Sequence, residues 1–257
     1  MRSPGARWWQ LAILAALGCA AATRLSIATI VPSTHAPVVS FEAGLMLAWL
    51  LRTPTSRWPQ VLVLAAIAEF AAWWAVATPA IAFGLGAAAV AQAAIGAFII
   101  ERIRRPPVVL SSFASLVTVL LVPAAIAIPA VALRSTLVLG TPPGERATVW
   151  LGFYVAGVVG TAAVAPLWLS LSPMPAWLRG RGRAVQVEAA AIAALVLGVS
   201  WLTLARPPAE IEPLRPAVTL TTLLFLWAAL RFGLVGAAWS VFAYATLGAW
   251  ETVRGLG

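Results

Sequence analysis

The sequence has no Lys, no Asp and no Asn, a single His (His35) and a single Cys (Cys19), and only 10% of its 257 residues are charged. Each shortage removes a mechanism. With no Lys there is no Schiff base to retinal or pyridoxal, and one His with one Cys makes no disulfide, no Cys/His zinc site and no bis-His haem within this chain alone. No cofactor and no metal are therefore expected.

What fills the chain is apolar: 62% of the residues are hydrophobic and the mean hydropathy is +0.95, far above the soluble globular range. That composition belongs to an integral membrane protein. Spans of about 20 residues joined by short loops allow roughly eight to ten crossings at this length and leave no stretch for a soluble domain. The expected fold is all-α, a polytopic transmembrane helix bundle in a lipid bilayer.

Apolar runs fall at about residues 8–31, 41–51, 58–77, 80–100, 108–133, 147–172, 185–205, 214–230 and 234–250, each closed by Pro, Gly or Arg. These are nine candidate spans. The second, "FEAGLMLAWLL", makes only about 17 Å of helix, so it either begins earlier, in "HAPVVS", or crosses part of a hydrocarbon layer about 30 Å thick.

The net charge of +9 comes from 17 Arg against 8 Glu, and its placement reads as topology rather than as nucleic-acid binding. With a cytoplasmic N-terminus, eleven arginines fall on the inner side, among them Arg231 and the clusters "ERIRR" and "RGRGR". Arg134, Arg146, Arg206, Arg215 and Arg254 then lie outside with Glu145, Glu210 and Glu212, while Arg24 falls inside the first span.

The stretch "LWAALRFGLVGAAW", Leu226 to Trp239, sets one arginine between two apolar runs. An unbroken helix from Pro213 to Trp250 would be about 57 Å long, nearly twice the hydrocarbon thickness, so the run is expected to fold back at Arg231-Phe232-Gly233. Gly233 is expected to take the left-handed conformation that ends a helix, with Arg231 at the helix C-terminus facing phosphates and the negative end of the dipole. Two readings stand: a topogenic arginine at a tight inner turn, or a relay for a signal.

The same stretch resembles the closing signature of the bacterial membrane-associated sensor domain of the first MASE type, Trp-Ala-x-Arg-Phe-Gly followed by a small-residue helix, with Gly255-Leu256-Gly257 like the start of its last element. "QAAIGAFIIERI" (Gln92 to Ile103) and "FYVAGVVGTAAVAPLWL" (Phe153 to Leu169) are similar to two further helices of that family, in order. Where the family has aromatic-Pro-Pro-x-Gly, Asn and Asp, this chain reads "SFEAG", Glu69 and Gly157. The resemblance implies a single sensor domain over residues 1–257, fused C-terminally to a histidine kinase or diguanylate cyclase of a two-component or related system and dimeric in the full-length protein. Nine spans would leave "ETVRGLG" outside, so one more crossing is expected before a cytoplasmic output module.

Ionisable groups at bilayer depth cost about 3 kcal/mol each and usually face a partner or a cavity. Glu69 lies near the middle of its span and shares a helical face with Trp73 at i+4; Gln92 is at similar depth in the next span, and Arg24 and Glu42 lie in the outer halves of the first two. Together they are expected to form a polar cluster rimmed by Trp73, Trp74 and His35. That cluster is either a ligand pocket or proton-sensitive switch, or a set of helix-joining hydrogen bonds with Arg24 snorkelling outward.

Gly152, Ala156 and Gly160, and likewise Ala88, Gln92 and Gly96, repeat at i+4 as packing seams. Pro123 and Pro129 are expected to kink the fifth span. Trp8, Trp9, Trp58 and Trp177 read as interfacial anchors. No residue set looks catalytic. The functional expectation is an inner-membrane sensory input domain for an unidentified small ligand or membrane protein partner, with a small-molecule transporter or channel as the rival class and a membrane enzyme as a further one.

Overall fold

The computed structural model describes residues 4–31, 35–104, 108, 110, 112–137, 144–170, 182–204 and 215–255. Arg2, Arg105, Trp177, Arg179, Arg181, Arg206, Glu210, Glu212, Leu256 and Gly257 lie outside the described residues, as do the side chains of Arg7 and Arg215. Among the described residues there are eight α-helices, one 3-10 turn and one pair of two-residue strands. Six of the helices are long and apolar enough to cross a membrane, so the chain is an all-α, multi-pass membrane protein. Large apolar side chains stand exposed along these helices, Leu11, Leu14 and Leu17 on the first and Leu230 on the last among them, as lipid-facing surfaces require.

The chain forms two compact units, one up to Thr161 and one from Ala162. In the first, α1 (Pro4–Ala28) leads through β1 (Ile30–Val31) and β2 (Ala36–Pro37) to α2 (Phe41–Arg52), followed by α3 (Trp58–Trp74), α4 (Pro79–Ile103), α5 (Phe113–Leu137) and the first part of α6 (Arg146–Ser170). Prolines set the helix starts. Pro79 opens α4 directly after Thr78 in an extended conformation, using a residue whose fixed φ suits the first turn and whose missing N–H is not needed there. α3 packs on α1 and α4, and α4 packs on α5 and α2.

Of the two expectations for the short second run, the earlier start is not met. α2 has 12 residues and does not extend into "HAPVVS"; Ala36 and Pro37 of that stretch form β2 and pair with Val31 and Ile30 of β1, and Val39 and Ser40 run on as a buried non-helical strap. The strap's backbone is satisfied by protein: Val38 N–H donates to the Thr29 carbonyl (3.2 Å) and Ser40 N–H to the Ala156 carbonyl of α6 (3.0 Å). Non-helical chain at membrane depth is tolerated only under such cover. α2 itself is buried nearly all round, with Met46, Leu47, Ala48 and Leu50 at most 1% exposed, the pattern of a helix enclosed by protein rather than lipid.

α2 and the turn after it nonetheless match the depth of α1. Near the end of α1, Ser26 meets Glu42; near its start, Trp8 stacks under the Arg57 guanidinium, 4.5 Å from the ring centroid. Trp58, expected as an interfacial anchor, is instead buried, its indole N–H shared between the Leu50 and Thr53 carbonyls at 3.1 and 3.0 Å. It supplies a donor to the Thr53 carbonyl just past the end of α2 and a second donor to the Leu50 carbonyl, which also accepts the Thr53 N–H.

In the second unit, α7 (Arg183–Leu204) packs on α8 (Arg215–Val253). The two expected runs, 214–230 and 234–250, are the two arms of α8. Gly233 breaks it with φ 63° and ψ −148°. The φ is positive as expected, but the ψ is extended rather than left-handed helical, a region essentially confined to glycine. The arms fold against each other: Phe225 meets Tyr244 edge to face at 5.8 Å, and Leu224, Ala228 and Ala243 share one buried cluster with Ile192 and Val196 of α7.

Candidate functional site

Thr23 and Ser26 lie three residues apart on α1, on one helical face, and both are buried. Thr23 Oγ1 stands 2.7 Å from Glu69 Oε1 of α3 and 2.9 Å from the Cys19 carbonyl. Ser26 Oγ repeats the arrangement, 2.6 Å from Glu42 Oε2 of α2 and 2.9 Å from the Ala22 carbonyl. It also accepts the Phe41 N–H at 3.0 Å, so a side chain of α1 caps the first turn of α2, where Ser40 makes no side-chain cap.

Glu69 is completely buried and Glu42 is 2% exposed, and the two act on each other electrostatically. α4 closes one side of the site at Gly86, where a Cβ would come within 3.1 Å of Glu69 Cβ. Trp73, one turn on along the same face of α3, borders the Glu69 carboxyl, and the charge of Arg134 from α5 bears on it. Arg134 is 4% exposed and its Nε has no hydrogen-bond partner; neither has Glu69 Oε2.

Of the four residues expected to cluster, the structure brings Glu42 and Glu69 together and leaves Arg24 and Gln92 apart. Trp73 joins them. Arg24 stands apart: its side chain is exposed and its Nη1 donates to the Ala72 carbonyl at 3.2 Å, in the last turn of α3, where a cation is favoured. The buried cation is Arg134, which the sequence placed in an outer loop. Thr23 and Ser26 also went unread, because hydroxyls on an apolar helix carry no signal until their neighbours are known.

Gln92 occupies a second polar spot, buried on α4 beside a void lined by Ala43, Leu47, Ala89, Ala93, Pro123 and Thr161. The void has room for about one water molecule. Gly157 of α6 faces it, since a Cβ there would lie 4.0 Å from Gln92 Nε2. His35 is exposed at the turn before β2 with φ 49°. Among the described residues no three His, Cys or Glu side chains are placed to hold a metal ion.

No family model, curated protein or solved structure matches this chain. The functional reading therefore stands on the residues themselves, and the second unit supplies the other half of them. Arg231, at the end of the first arm of α8, donates from Nε and Nη2 to Oε1 and Oε2 of Glu188 on α7, each at 2.6 Å. This two-pronged geometry fixes direction as well as distance. Arg231 is thus paired with a protein carboxylate, where the sequence pointed it toward phosphates and a helix dipole. Glu188 was not singled out in the sequence, although it is the only acid in the seventh apolar run.

Proposed function

We propose that this chain is the sensory input region of a bacterial inner-membrane signalling protein, passing an environmental stimulus to a histidine kinase or diguanylate cyclase joined beyond Gly257. One coincidence carries the reading: the Arg-Phe-Gly signature is the place where α8 reverses, and its arginine is clamped to α7 by a bidentate ion pair. A ligand moves such a domain only through different affinities for two helix arrangements, and a polar clamp beside a glycine-only turn is an element with two such arrangements, closed and open. The buried Glu42–Glu69 cluster is the receiving element and the clamp the delivering one. The working protein is a homodimer, and the rival reading is a transporter.

The proposed topology has a cytoplasmic N-terminus and nine passes: α1, the enclosed α2 with the turn after it, α3 through α7, and each arm of α8. With buried Cys19 replaced by Ala, single cysteines at Arg57, Gly182 and Arg231 are expected to react with a membrane-impermeant thiol reagent from the cytoplasmic side only. Cysteines at Gly144 and Arg254 are expected to react from the opposite side only. Reaction at positions 182 and 231 from different sides would end the topology.

The functional test reads the gene beyond the Gly257 codon and assays its whole product in proteoliposomes. Autophosphorylation or cyclic dinucleotide synthesis is expected, shifted about fivefold or more by Glu188→Arg, the low end of ordinary coupling energies. The exchange Glu188→Arg with Arg231→Glu is expected to restore it, because the pair and not either charge alone sets the clamp. Saturable solute uptake by a product with no output module would decide for the transporter.

A further inference from the structure

Thr23 and Ser26 each have one hydroxyl proton, yet each hydroxyl stands within hydrogen-bond distance of both a helix carbonyl and a buried carboxyl. If both carboxyls are ionised, each hydroxyl gives its one proton to the carboxylate, and the helix carbonyl beside it keeps only the backbone N–H four residues on. A protonated carboxyl lets all three groups bond in series: its O–H donates to the hydroxyl oxygen, and the hydroxyl donates onward to the carbonyl. Ser26 Oγ would then accept from Phe41 N–H and from Glu42 while donating to Ala22, its full complement.

The charges point the same way. The charged and titratable groups facing the pair are Cys19 of α1, Glu42 of α2, Glu69 of α3 and Arg134 of α5; α4 meets Glu69 at Gly86 and brings none. Two carboxylates and one guanidinium leave one uncompensated negative charge at a site with almost no solvent exposure, a costly arrangement. Glu69 Oε2 has no partner, and an unsatisfied oxygen costs less on a neutral acid than on an anion.

The geometry points to a one-proton site in which Glu42 and Glu69 together hold a single exchangeable proton against the Thr23–Ser26 face of α1, with Arg134 balancing the remaining charge. The proton comes from water, converts one carboxylate to the acid, and returns to water when it leaves. Its loss restores mutual repulsion between α2 and α3 and turns a hydroxyl of α1 from a backbone carbonyl to a carboxylate, so the packing of α1 answers to proton activity. That this proton is the stimulus rests on the sensory reading above; the site itself does not.

The test is the protonated-carboxyl carbonyl stretch in infrared difference spectra of the whole chain in lipid nanodiscs, titrated with pH. The expected intensity at neutral pH is one such group per chain, falling to none with Glu42→Gln, where Glu69 and Arg134 already balance, and rising twofold with Arg134→Gln. A wild-type chain with no protonated carboxyl at neutral pH overturns the site. So does a Glu42→Gln chain that keeps the band, since burial of Glu69 alone would then hold the proton. The wild-type spectrum needs no variant to fold and no output module to be attached, so its failure is distinct from failure of the signalling assay.

Discussion

Gly160→Ala is expected to destabilise the first unit more than any other single methyl group added to the chain. α6 and the strap before α2 meet backbone to backbone at this point: a Cβ on Gly160 would overlap the Ser40 carbonyl oxygen outright and lie 3.1 Å from Ser40 N. Neither side can yield cheaply. Val39 and Ser40 are 2% and 1% exposed, and Ser40 N–H is held by the Ala156 carbonyl one turn earlier on the same helix. Separating the two segments far enough for a methyl group also breaks that bond and leaves buried backbone unpaired. Overpacking against backbone costs about 3 kcal/mol and an orphaned buried N–H about 1–3 kcal/mol more, a large part of a typical total of about 5–15 kcal/mol. A fall of about 10 °C in the thermal midpoint is expected, read by tryptophan fluorescence in detergent micelles. Gly198→Ala is the control. Nothing lies within 4 Å of a Cβ there, and removing a glycine from a helix interior is expected to leave the midpoint unchanged or slightly raised. Equal losses in the two variants would mean that the α6 contact at Ser40 does not hold the unit together.

The two sides of that contact were unequally visible in the sequence. Gly152, Ala156 and Gly160 announce a close-packed face by spacing alone, because small side chains at i+4 have few other uses in an apolar helix. What they pack against was hidden. "HAPVVS" looked like the possible start of a helix, and only the β1–β2 pairing makes it a strap; a two-residue strand pair has too short a pattern to be read from alternation. Helix positions were legible for the same reason that the class was: long apolar runs ended by Pro, Gly and Arg leave little freedom. The candidate site was half legible. Glu69 and Glu42 stand out because charge is rare here, but choosing their cation required knowing which arginine turns inward. Arg24 lies in mid-run yet reaches out to the end of α3, whereas Arg134, in the last turn of α5, turns into protein. Periodicity cannot tell these apart when every face of a helix is apolar, since the inward face then has no compositional mark. The Arg231 bend was read from length and a glycine; its partner Glu188 was not, because pairing across 43 residues leaves no local trace.

Gly236→Ala is expected to open the α8 hairpin, and to do so more severely than Gly233→Ala, although Gly233 holds the unusual backbone. At Gly233 nothing lies within 4 Å of an added Cβ, so the penalty is conformational only: an alanine forced to φ 63°, ψ −148° costs about 1–3 kcal/mol, and the turn can relax toward a neighbouring conformation without displacing a packed atom. At Gly236 the backbone is an ordinary helix, but the first arm is in the way. A Cβ there would overlap the Ala228 carbonyl oxygen and stand 2.9 Å from its carbon and 2.8 Å from Phe232 Cβ. Ala228 belongs to the buried cluster that joins both arms to Ile192 and Val196 of α7, so it cannot retreat without opening that cluster as well. A loss of about 3 kcal/mol or more is expected, with the Phe225–Tyr244 contact pulled apart. The measurement is the thermal midpoint of each variant together with nuclear Overhauser contacts between the labelled rings of Phe225 and Tyr244. Gly236→Ala should lose the ring contact, and Gly233→Ala should keep it at a lowered midpoint. Because both substitutions act on one turn, the double variant should lose less than the two single losses added together. A larger loss for Gly233→Ala would mean that the backbone of the turn, and not the arm-to-arm approach, sets the hairpin; Arg231 would then be held where it meets Glu188 by the conformation of a single glycine.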